Sequence, residues 1–306
     1  MSSLTAINDE QVELLLADVL EQYGYDFTGY SRASLKRRIV RLFGLDKQVS
    51  FAEFRYKIGN DNSYFKRFVE QITVNVTEMF RDPAFYKTLR STVIPQFGTY
   101  PFIRIWLAGC STGEEAYSIA IMLKELNLLN KSLIYATDIN PVVLEKASQA
   151  MFPLSQMKQY SENYIASGGT KDFSSYYTAN YSLAKFDTEL KTKIIFSTHN
   201  LVSDHSFNEF QLILCRNVLI YFDRGLQYNV LQLFDNSLEK LGYLALGTKE
   251  TIDFSPIAKK YKRLEGETIM SKHAQTDTNI ARDSFTTNKN KLYSSEKIWR
   301  KLGERM

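Results

Sequence analysis

The chain has 306 residues, of which 44% are hydrophobic and 24% charged, and its net charge at pH 7 is +4. These values exclude a disordered or fibrous chain and predict a globular protein of about two domains. No run approaches the roughly 20 apolar residues of a membrane span, and the N-terminus lacks the pattern of an export signal. Cys110 and Cys215 lie in apolar runs, so we expect buried thiols, no metal site and a cytoplasmic protein without membrane insertion.

Residues 1–97 are predicted to form a helical domain. "DEQVELLLADVLEQYG" has helical periodicity, an acidic start and a glycine stop. "RASLKRRIVRLFG" is a second amphipathic helix without an acidic residue, and "SFAEFRYKIG" and "NSYFKRFVEQITV" predict two more. Pro83 is placed at the first turn of a further helix, "PAFYKTLRSTVI".

Residues 98–273 predict an α/β domain. Short apolar strands such as "FIRIWLAG", "SLIYATDI", "FQLILCRNV" and "GYLALGT" alternate with helical segments, including "RGLQYNVLQLFDNSLEKL". This alternation favours a parallel sheet covered on both faces, as in Rossmann-like folds.

Two segments break that alternation. Residues 167–187, rich in Gly, Ser, Thr and Tyr, predict a small β-subdomain insertion. Residues 274–306 predict a polar C-terminal extension, with a short final helix at "IWRKLG", and "YKRLEGETIMSK" before it suggests a hairpin turning at Glu265.

The turn "AGCSTGEE" (108–115) lies between the first strand of the sheet and its helix, where α/β proteins bind ligands. It is neither the G-x-G-x-x-G dinucleotide fingerprint nor a phosphate loop, because no lysine follows the last glycine, and two acids at the helix start disfavour a pyrophosphate. Adjacent acids suit a ligand with positive charge, and Asp138, at the tip of the second strand, suits ribose hydroxyls. Together they predict an S-adenosylmethionine site; the alternative is an acidic helix start with an unrelated turn aspartate.

Five segments in order carry a resemblance: "NVTEMFRD" (75–82), "WLAGCSTGEEAYS" (106–118), "ATDIN" (136–140), "FSTHNL" (196–201) and "LILCRNVLIYFD" (212–223). The set resembles the CheR family of chemotaxis receptor methyltransferases, over residues 10 to 273. This resemblance implies transfer of the methyl group of S-adenosylmethionine to glutamate side chains in the cytoplasmic helical domain of chemotaxis receptors. It also implies that the β-subdomain could bind a receptor's C-terminal peptide, as in some members.

The resemblance implies a role for each matching residue. Asn75, Thr77 and Arg81 match the segment that contributes to both cofactor and active site. The implied cofactor contacts are Gly109 in the turn, Glu115 near the methionine moiety, Asp138 at the ribose, Asn200 and Leu201 at the adenine, and Arg216 and Asn217 after the fourth strand; Tyr221 matches the tyrosine beside the transferring methyl. Two departures are Met79, where a phenylalanine is common, and "LGTKETI" (246–252) in place of "LGHSE".

The chemistry is consistent with these residues. A sulfonium methyl is already activated and a glutamate is ionised at neutral pH, so alignment matters more than a general base. Arg81 and Tyr221 are the candidates for aligning the carboxylate. The alternatives are that Arg81 pairs locally with Asp82 and that Tyr221 is a core aromatic. His199 is expected to be structural.

The basic second helix is predicted to contact the substrate. A helical wheel places Arg37, Arg38 and Arg41 opposite the apolar face, facing solvent, where they could dock an acidic receptor helix. The alternative is an ordinary solvated face. Other functions stay open: methylation of another protein or of nucleic acid, or a non-catalytic S-adenosylmethionine-binding module. The Asn/Asp-Pro-Pro-aromatic motif of amino-group methylation is absent from the sequence, so nucleic acid is not the expected partner.

Overall fold

A computed structural model describes residues 7–73, 75–264 and 296–303 of the chain. Its N-terminal part is a helical bundle of α1 (Asp9–Tyr23), α2 (Arg32–Leu45), α3 (Phe51–Asn60) and α4 (Asn62–Ile72). Helix α1 begins with a capping box, in which the side chains of Asn8 and Gln11 each accept from the other's backbone N–H, and it ends at Gly24 in the left-handed conformation. Apolar faces of all four helices enclose one core, which includes Leu15, Ile39 and Phe68.

The remainder of the chain alternates between helices and strands. In chain order these are α5 (Pro83–Thr88), β1 (Ile103–Ala108), α6 (Glu114–Glu125), β2 (Ser132–Asp138), α7 (Pro141–Ser148), β3 (Met151–Pro153), α8 (Met157–Ala166), β4 (Tyr177–Asn180), β5 (Leu183–Phe186), α9 (Thr188–Lys191), β6 (Ile194–Thr198), β7 (Phe210–Cys215), α10 (Arg224–Ser237), β8 (Leu238–Leu246), β9 (Tyr261–Arg263) and β10 (Ile298–Lys301).

Seven of these strands form one sheet in the order β6-β2-β1-β7-β8-β10-β9. The first five of that order run parallel, whereas β10 is antiparallel to both of its neighbours. Strand β7 is buried at all six positions, as expected for a central strand with helices on both faces. The predicted Rossmann-like class with a helical N-terminal domain is therefore confirmed.

Two local predictions were wrong. Helix α10 ends at Ser237, because Leu238 already pairs with Phe210 of β7, so the helix does not continue through "LEKL". The predicted final helix at "IWRKLG" is the strand β10, in which Ile298 and Trp299 are buried between β8 and β9. Pairing with two strands decided a segment whose own pattern was ambiguous. The suggested hairpin at Glu265 and most of the predicted extension lie outside the described residues.

Two segments lie in different surroundings from those that their sequence suggested. The buried side chains from Met79 to Phe97 belong to the core beneath the sheet, although the sequence suggested a change of domain at residue 97. The segment 167–187 contributes β4 and β5, which pair with each other. Strand β5 also pairs with β3, which precedes the predicted insertion, so the three form a separate sheet of order β3-β5-β4.

The bundle docks on the sheet through the segment that follows β7. The backbone N–H of Ser31 donates to the carbonyl of Tyr221 at 2.8 Å, and that of Asp223 donates to the carbonyl of Gly29 at 2.7 Å. The rings of Tyr30 and Phe222 meet edge to face at 4.7 Å. This contact brings α2 to the carboxyl ends of the parallel strands, where the α/β fold places ligands.

Candidate active site

A cleft lies between the bundle and the carboxyl ends of β1, β2 and β7. The space in and in front of this cleft, including the part that is open to solvent, is about 1110 Å³. The predicted site residues that line it are Asn75, Thr77, Arg81, Gly109, Glu115, Asp138, Leu201, Arg216, Asn217 and Tyr221, together with Arg38 of α2. Residues far apart in the sequence thus meet in one place.

Three predicted site residues do not line the cleft. Arg37 and Arg41 are exposed on α2. Asn200 is buried, and its side-chain oxygen accepts the backbone N–H of Val202 at 3.0 Å. Its predicted place at the adenine stays a prediction.

The glycine turn is shaped by positive φ and by close packing. Gly109 has φ 81°, and its N–H donates to the carbonyl of Thr137 at 2.8 Å. A Cβ at Gly109 would lie 2.4 Å from a methyl carbon of Val218. Only glycine satisfies both conditions, so the loop after β1 and the loop after β7 pack directly against each other.

Asp138 lies at the tip of β2 and is almost fully buried. Its two carboxylate oxygens accept the backbone N–H groups of Ser111 at 2.9 Å and Asn140 at 3.0 Å. Burial raises the pKa of Asp138, and these hydrogen bonds oppose that rise. Each oxygen keeps a further lone pair with which it can accept a ligand hydroxyl.

The two adjacent glutamates face different surroundings. Glu114 is buried away from the cleft lining, accepts a hydrogen bond from the Thr112 hydroxyl at 2.6 Å, and has its pKa raised by burial. Glu115 lines the cleft and accepts from Arg216 Nη1 at 3.0 Å and from the Tyr86 hydroxyl at 3.2 Å. Only the second glutamate can therefore meet a bound ligand.

Arg216 connects three parts of the site. Its side chain is 3% exposed, and Nη2 donates to Asp82 Oδ2 at 2.6 Å while the guanidinium lies 4.0 Å from the centre of the Phe85 ring. Burial alone lowers the pKa of Arg216, but the neighbouring Glu115, Tyr86 and Asp82 outweigh it and the net pKa is raised. The guanidinium therefore stays charged and fixes the position of Glu115.

The segment before α5 carries backbone strain. Phe80 and Asp82 have φ of 53° and 59°, in the left-handed region. Asp82 pairs with Arg216, whereas Arg81 donates from Nη1 to the carbonyl of Val76 at 3.0 Å. The alternative pairing of Arg81 with Asp82 is thus not the one found, and such strain is often concentrated at functional sites.

Arg38 differs from its predicted place. It is half-buried, with its guanidinium 4.9 Å from the centre of the Tyr221 ring and Nη1 2.5 Å from the carbonyl of Ile72. Burial lowers the pKa of Arg38 and Tyr221 opposes this effect. A helical wheel considers α2 alone and does not include the contact between the bundle and the sheet. That contact makes the Arg38 side of α2 part of the cleft wall. Tyr221, partly buried, lines the same wall.

The sequence did not single out Ser111 or Tyr30 for the cleft, and it treated His199 as structural; all three line it. Three buried polar atoms of cleft-lining residues, Ser111 Oγ, His199 Nδ1 and Arg216 Nε, have no hydrogen-bond partner in the described part of the chain. The other ring nitrogen of His199 lies 3.3 Å from the carbonyl of His205. Of these residues, Ser111 and His199 lie beside Asp138, since the backbone N–H of Ser111 donates to its carboxylate and that of His199 to its carbonyl. Long-range contacts of this kind leave no signal in a single sequence.

The described residues contain neither a metal-binding cluster nor a membrane-spanning helix. Within 7–73, 75–264 and 296–303, no group of three or more His, Cys, Asp or Glu side chains could hold a metal ion. No helix among the described residues is both long and apolar enough to cross a membrane.

Comparison with known proteins assigns both parts of the chain. Residues 10–73 match the CheR methyltransferase all-alpha domain, and residues 75–268 match the CheR methyltransferase SAM binding domain. A Pseudomonas putida protein named "Putative methyltransferase Cher3" is 43% identical over 84% of this chain and 94% of its own length. The chemotaxis protein methyltransferase of Listeria innocua is 32% identical over 76% and 87%. That of Salmonella typhimurium is 30% identical over 88% and 92%. With both family domains matched in order, the chain belongs to the CheR methyltransferase family.

Proposed function

We propose that this protein transfers the methyl group of S-adenosylmethionine to glutamate side chains of chemotaxis receptors, giving glutamate methyl esters. The observation that carries this proposal is the single cleft in which Asp138 and the Glu115–Arg216 pair meet Arg81 and Tyr221. Asp138 and the Glu115–Arg216 pair suit a nucleoside with a charged amino-acid tail. Arg81 and Tyr221 suit the carboxylate that accepts the methyl group.

The chain's own residues would mainly bind and align the reactants. When bound, S-adenosylmethionine supplies a methyl group on a positive sulfur, and a carboxylate oxygen bonds to the methyl carbon as the carbon–sulfur bond breaks, leaving a neutral ester and a neutral thioether. Asp138 would accept ribose hydroxyls, and Glu115, held by Arg216, would attract the cationic part of the methionine moiety. Arg81 and Tyr221 would hold the glutamate in line, which can contribute several kcal/mol, with an upper range of about 7–11.

The cationic side of α2 would bind the substrate helix. Arg37 and Arg41 are exposed, and Arg38 continues the same positive charge into the cleft beside Tyr221. A receptor helix with several carboxylates would be attracted along this surface, so that one glutamate reaches Arg81 and Tyr221.

The β-subdomain is a proposed second contact with the receptor. Strand β4 is an edge of the three-stranded sheet, three of its four residues are exposed, and Tyr181 beside it is 97% exposed. An extended C-terminal receptor peptide could add to this edge as a further strand.

Transfer of radioactive methyl from S-adenosylmethionine to receptor-containing membranes tests the function. We expect label on the receptor that is released as methanol by mild base, as for a carboxyl ester. Base-stable label on added nucleic acid would favour a nucleic-acid methyltransferase. Tight binding of S-adenosylhomocysteine without any transfer would favour a non-catalytic module.

A further inference from the structure

A buried carboxylate outside the cleft holds the turn that carries much of the site. Glu250 follows β8, is 4% exposed, and is not among the residues that line the cleft. It lies in the segment "LGTKETI", which departs from the commoner family sequence by Thr248 and Lys249 but keeps the glutamate.

The groups that satisfy Glu250 are backbone N–H donors. Its Oε2 accepts from Asn217 at 3.0 Å and from Gly247 at 2.6 Å, and its Oε1 accepts from Val218 at 2.9 Å. Burial raises the pKa of Glu250, and these hydrogen bonds, with one more from Leu219, oppose that rise. One side chain thus binds consecutive backbone groups of a single turn.

The turn of residues 216–221 has a backbone conformation that requires stabilising contacts. Asn217 has φ 61°, in the left-handed region that non-glycine residues rarely adopt. A Cβ at Gly247 would lie 2.7 Å from Glu250 Oε2 and 2.9 Å from the Asn217 backbone nitrogen, so a glycine is needed for this close approach. Arg216 and Tyr221, at the two ends of the turn, both line the cleft.

We propose that Glu250 is a positioning residue for methyl transfer: by binding the backbone of residues 217–219 it sets where Asn217 and Tyr221 meet the reactants. This inference rests on the proposed function. Arg216 is held separately by Glu115 and Asp82. Losing the Glu250 contacts should therefore affect alignment at Tyr221 far more than the cofactor contacts of Arg216.

The test compares Glu250→Gln with Asp235→Asn in the full-length protein. Glutamine has nearly the same size as glutamate, but its amide N–H₂ is a donor and cannot accept the backbone N–H groups that bind the Glu250 carboxylate. Asp235 is an equally buried carboxylate that does not line the cleft; it accepts from Tyr261 at 3.0 Å and pairs with Lys260 at 2.5 Å. Both variants should lower the melting temperature, but only Glu250→Gln removes a hydrogen bond to the backbone of the turn at Asn217 and Val218.

For Glu250→Gln we expect kcat for receptor methylation to fall by about ten- to a hundredfold, the scale of a displacement near 1 Å. The affinity for S-adenosylhomocysteine should fall less than kcat, because Asn217 is one of several implied cofactor contacts and Arg216 is held separately. Asp235→Asn should keep the wild-type kcat below its melting temperature. Gly247→Ala, which pushes Glu250 from Asn217 while keeping the charge, should reproduce the loss of kcat. It also replaces Glu250→Gln if that variant does not fold.

Amide hydrogen exchange gives a measurement that does not depend on turnover. The segment 216–221 should exchange faster in Glu250→Gln and Gly247→Ala than in Asp235→Asn. A kcat within about threefold of wild type, an equal loss of kcat in Asp235→Asn, or unchanged exchange in 216–221 would each overturn the inference. A wild-type protein that methylates no receptor would contradict the proposed function instead, and exchange would still decide whether Glu250 holds the turn.

Discussion

The sheet wall of the cleft and the exposed side of α2 beside the cleft use charge in opposite ways. On the sheet side, Arg216, Glu115 and Asp138 are largely buried and bound to other groups of the chain. On the bundle side, Arg37 and Arg41 of α2 lie outside the cleft lining and are exposed cations. Buried charges are costly unless they are paired, whereas exposed charges keep their hydration and can steer an oppositely charged partner, most strongly at low salt.

This difference indicates two kinds of ligand. A prearranged, desolvated wall suits a small molecule that must be held in one orientation, and an exposed cationic surface suits a large acidic partner that approaches from solution. If the comparison is right, variants on the sheet side should alter cofactor binding and turnover, and variants on the bundle side should alter only the reaction with the receptor.

The largest effect should come from breaking the sheet wall with Arg216→Ala. Removing a buried guanidinium leaves Glu115 without its cation and should reduce the free energy of unfolding by about 3 kcal/mol, the lower end for a buried pair because Asp82 is partly exposed. Receptor methylation should fall at least about a hundredfold. Thermal denaturation and the transfer assay measure the two effects.

Its control is Arg104→Ala, which removes an arginine paired with Glu239 at 3.0 Å in a more exposed place. That variant should lose about 1 kcal/mol or less and keep its activity. Equal losses in both variants would mean that Arg216 matters only for stability.

Asp138→Ala should give the next largest effect. Loss of a charged hydrogen-bond acceptor predicts weaker S-adenosylhomocysteine binding by about 1.5–3 kcal/mol, measured by titration calorimetry. Glu114→Gln, at a buried carboxylate that does not line the cleft, should leave this affinity unchanged. Equal affinity in wild type and Asp138→Ala would remove Asp138 from the cofactor site.

Tyr221→Phe should separate alignment from binding. If the hydroxyl orients the reactants, its loss is worth roughly one hydrogen bond, or about tenfold in turnover, with little change in cofactor affinity. Tyr228→Phe, at a partly exposed tyrosine that is not part of the cleft lining, is the matched control. Wild-type turnover in Tyr221→Phe would mean that the hydroxyl does not orient the reactants and that Tyr221 serves only in packing.

The smallest effect should come from reversing Arg37 and Arg41 to glutamate. We expect receptor methylation at low salt to fall about fivefold, because steering of an acidic helix is weakened. Cofactor affinity should not change, and the difference should shrink near 1 M salt, where the Debye length is about 3 Å. Reversal of the exposed Lys191 and Lys262 gives the same change in net charge elsewhere; an equal loss there would contradict specific docking.

The fold was largely predictable because its signals are local. The parallel strands are short apolar runs, and the glycine turn stands between β1 and α6, so the class and most cleft residues followed from pattern and resemblance. Strand β10 was not predictable, since its conformation depends on pairing with β8 and β9.

The site was less predictable where it depends on contacts between domains. The position of Arg38 follows from the docking of the bundle, and the pairing of Asp82 with Arg216 depends on a left-handed backbone at Asp82. Neither the position of Arg38 nor the pairing of Asp82 can be predicted from the residues next to them in the sequence. The adjacent glutamates likewise look equivalent in the sequence, yet only Glu115 faces the cleft.

Strand β10 has a consequence for protein engineering. It hydrogen-bonds to β8 on one side and β9 on the other, and its buried Ile298 and Trp299 fill the space between them. Main-chain pairing on both sides does not require a covalent link to either neighbour. A fragment ending at residue 264 and a synthetic peptide of residues 296–303 are therefore candidates for a split enzyme, in which adding the peptide restores the sheet and switches the activity on.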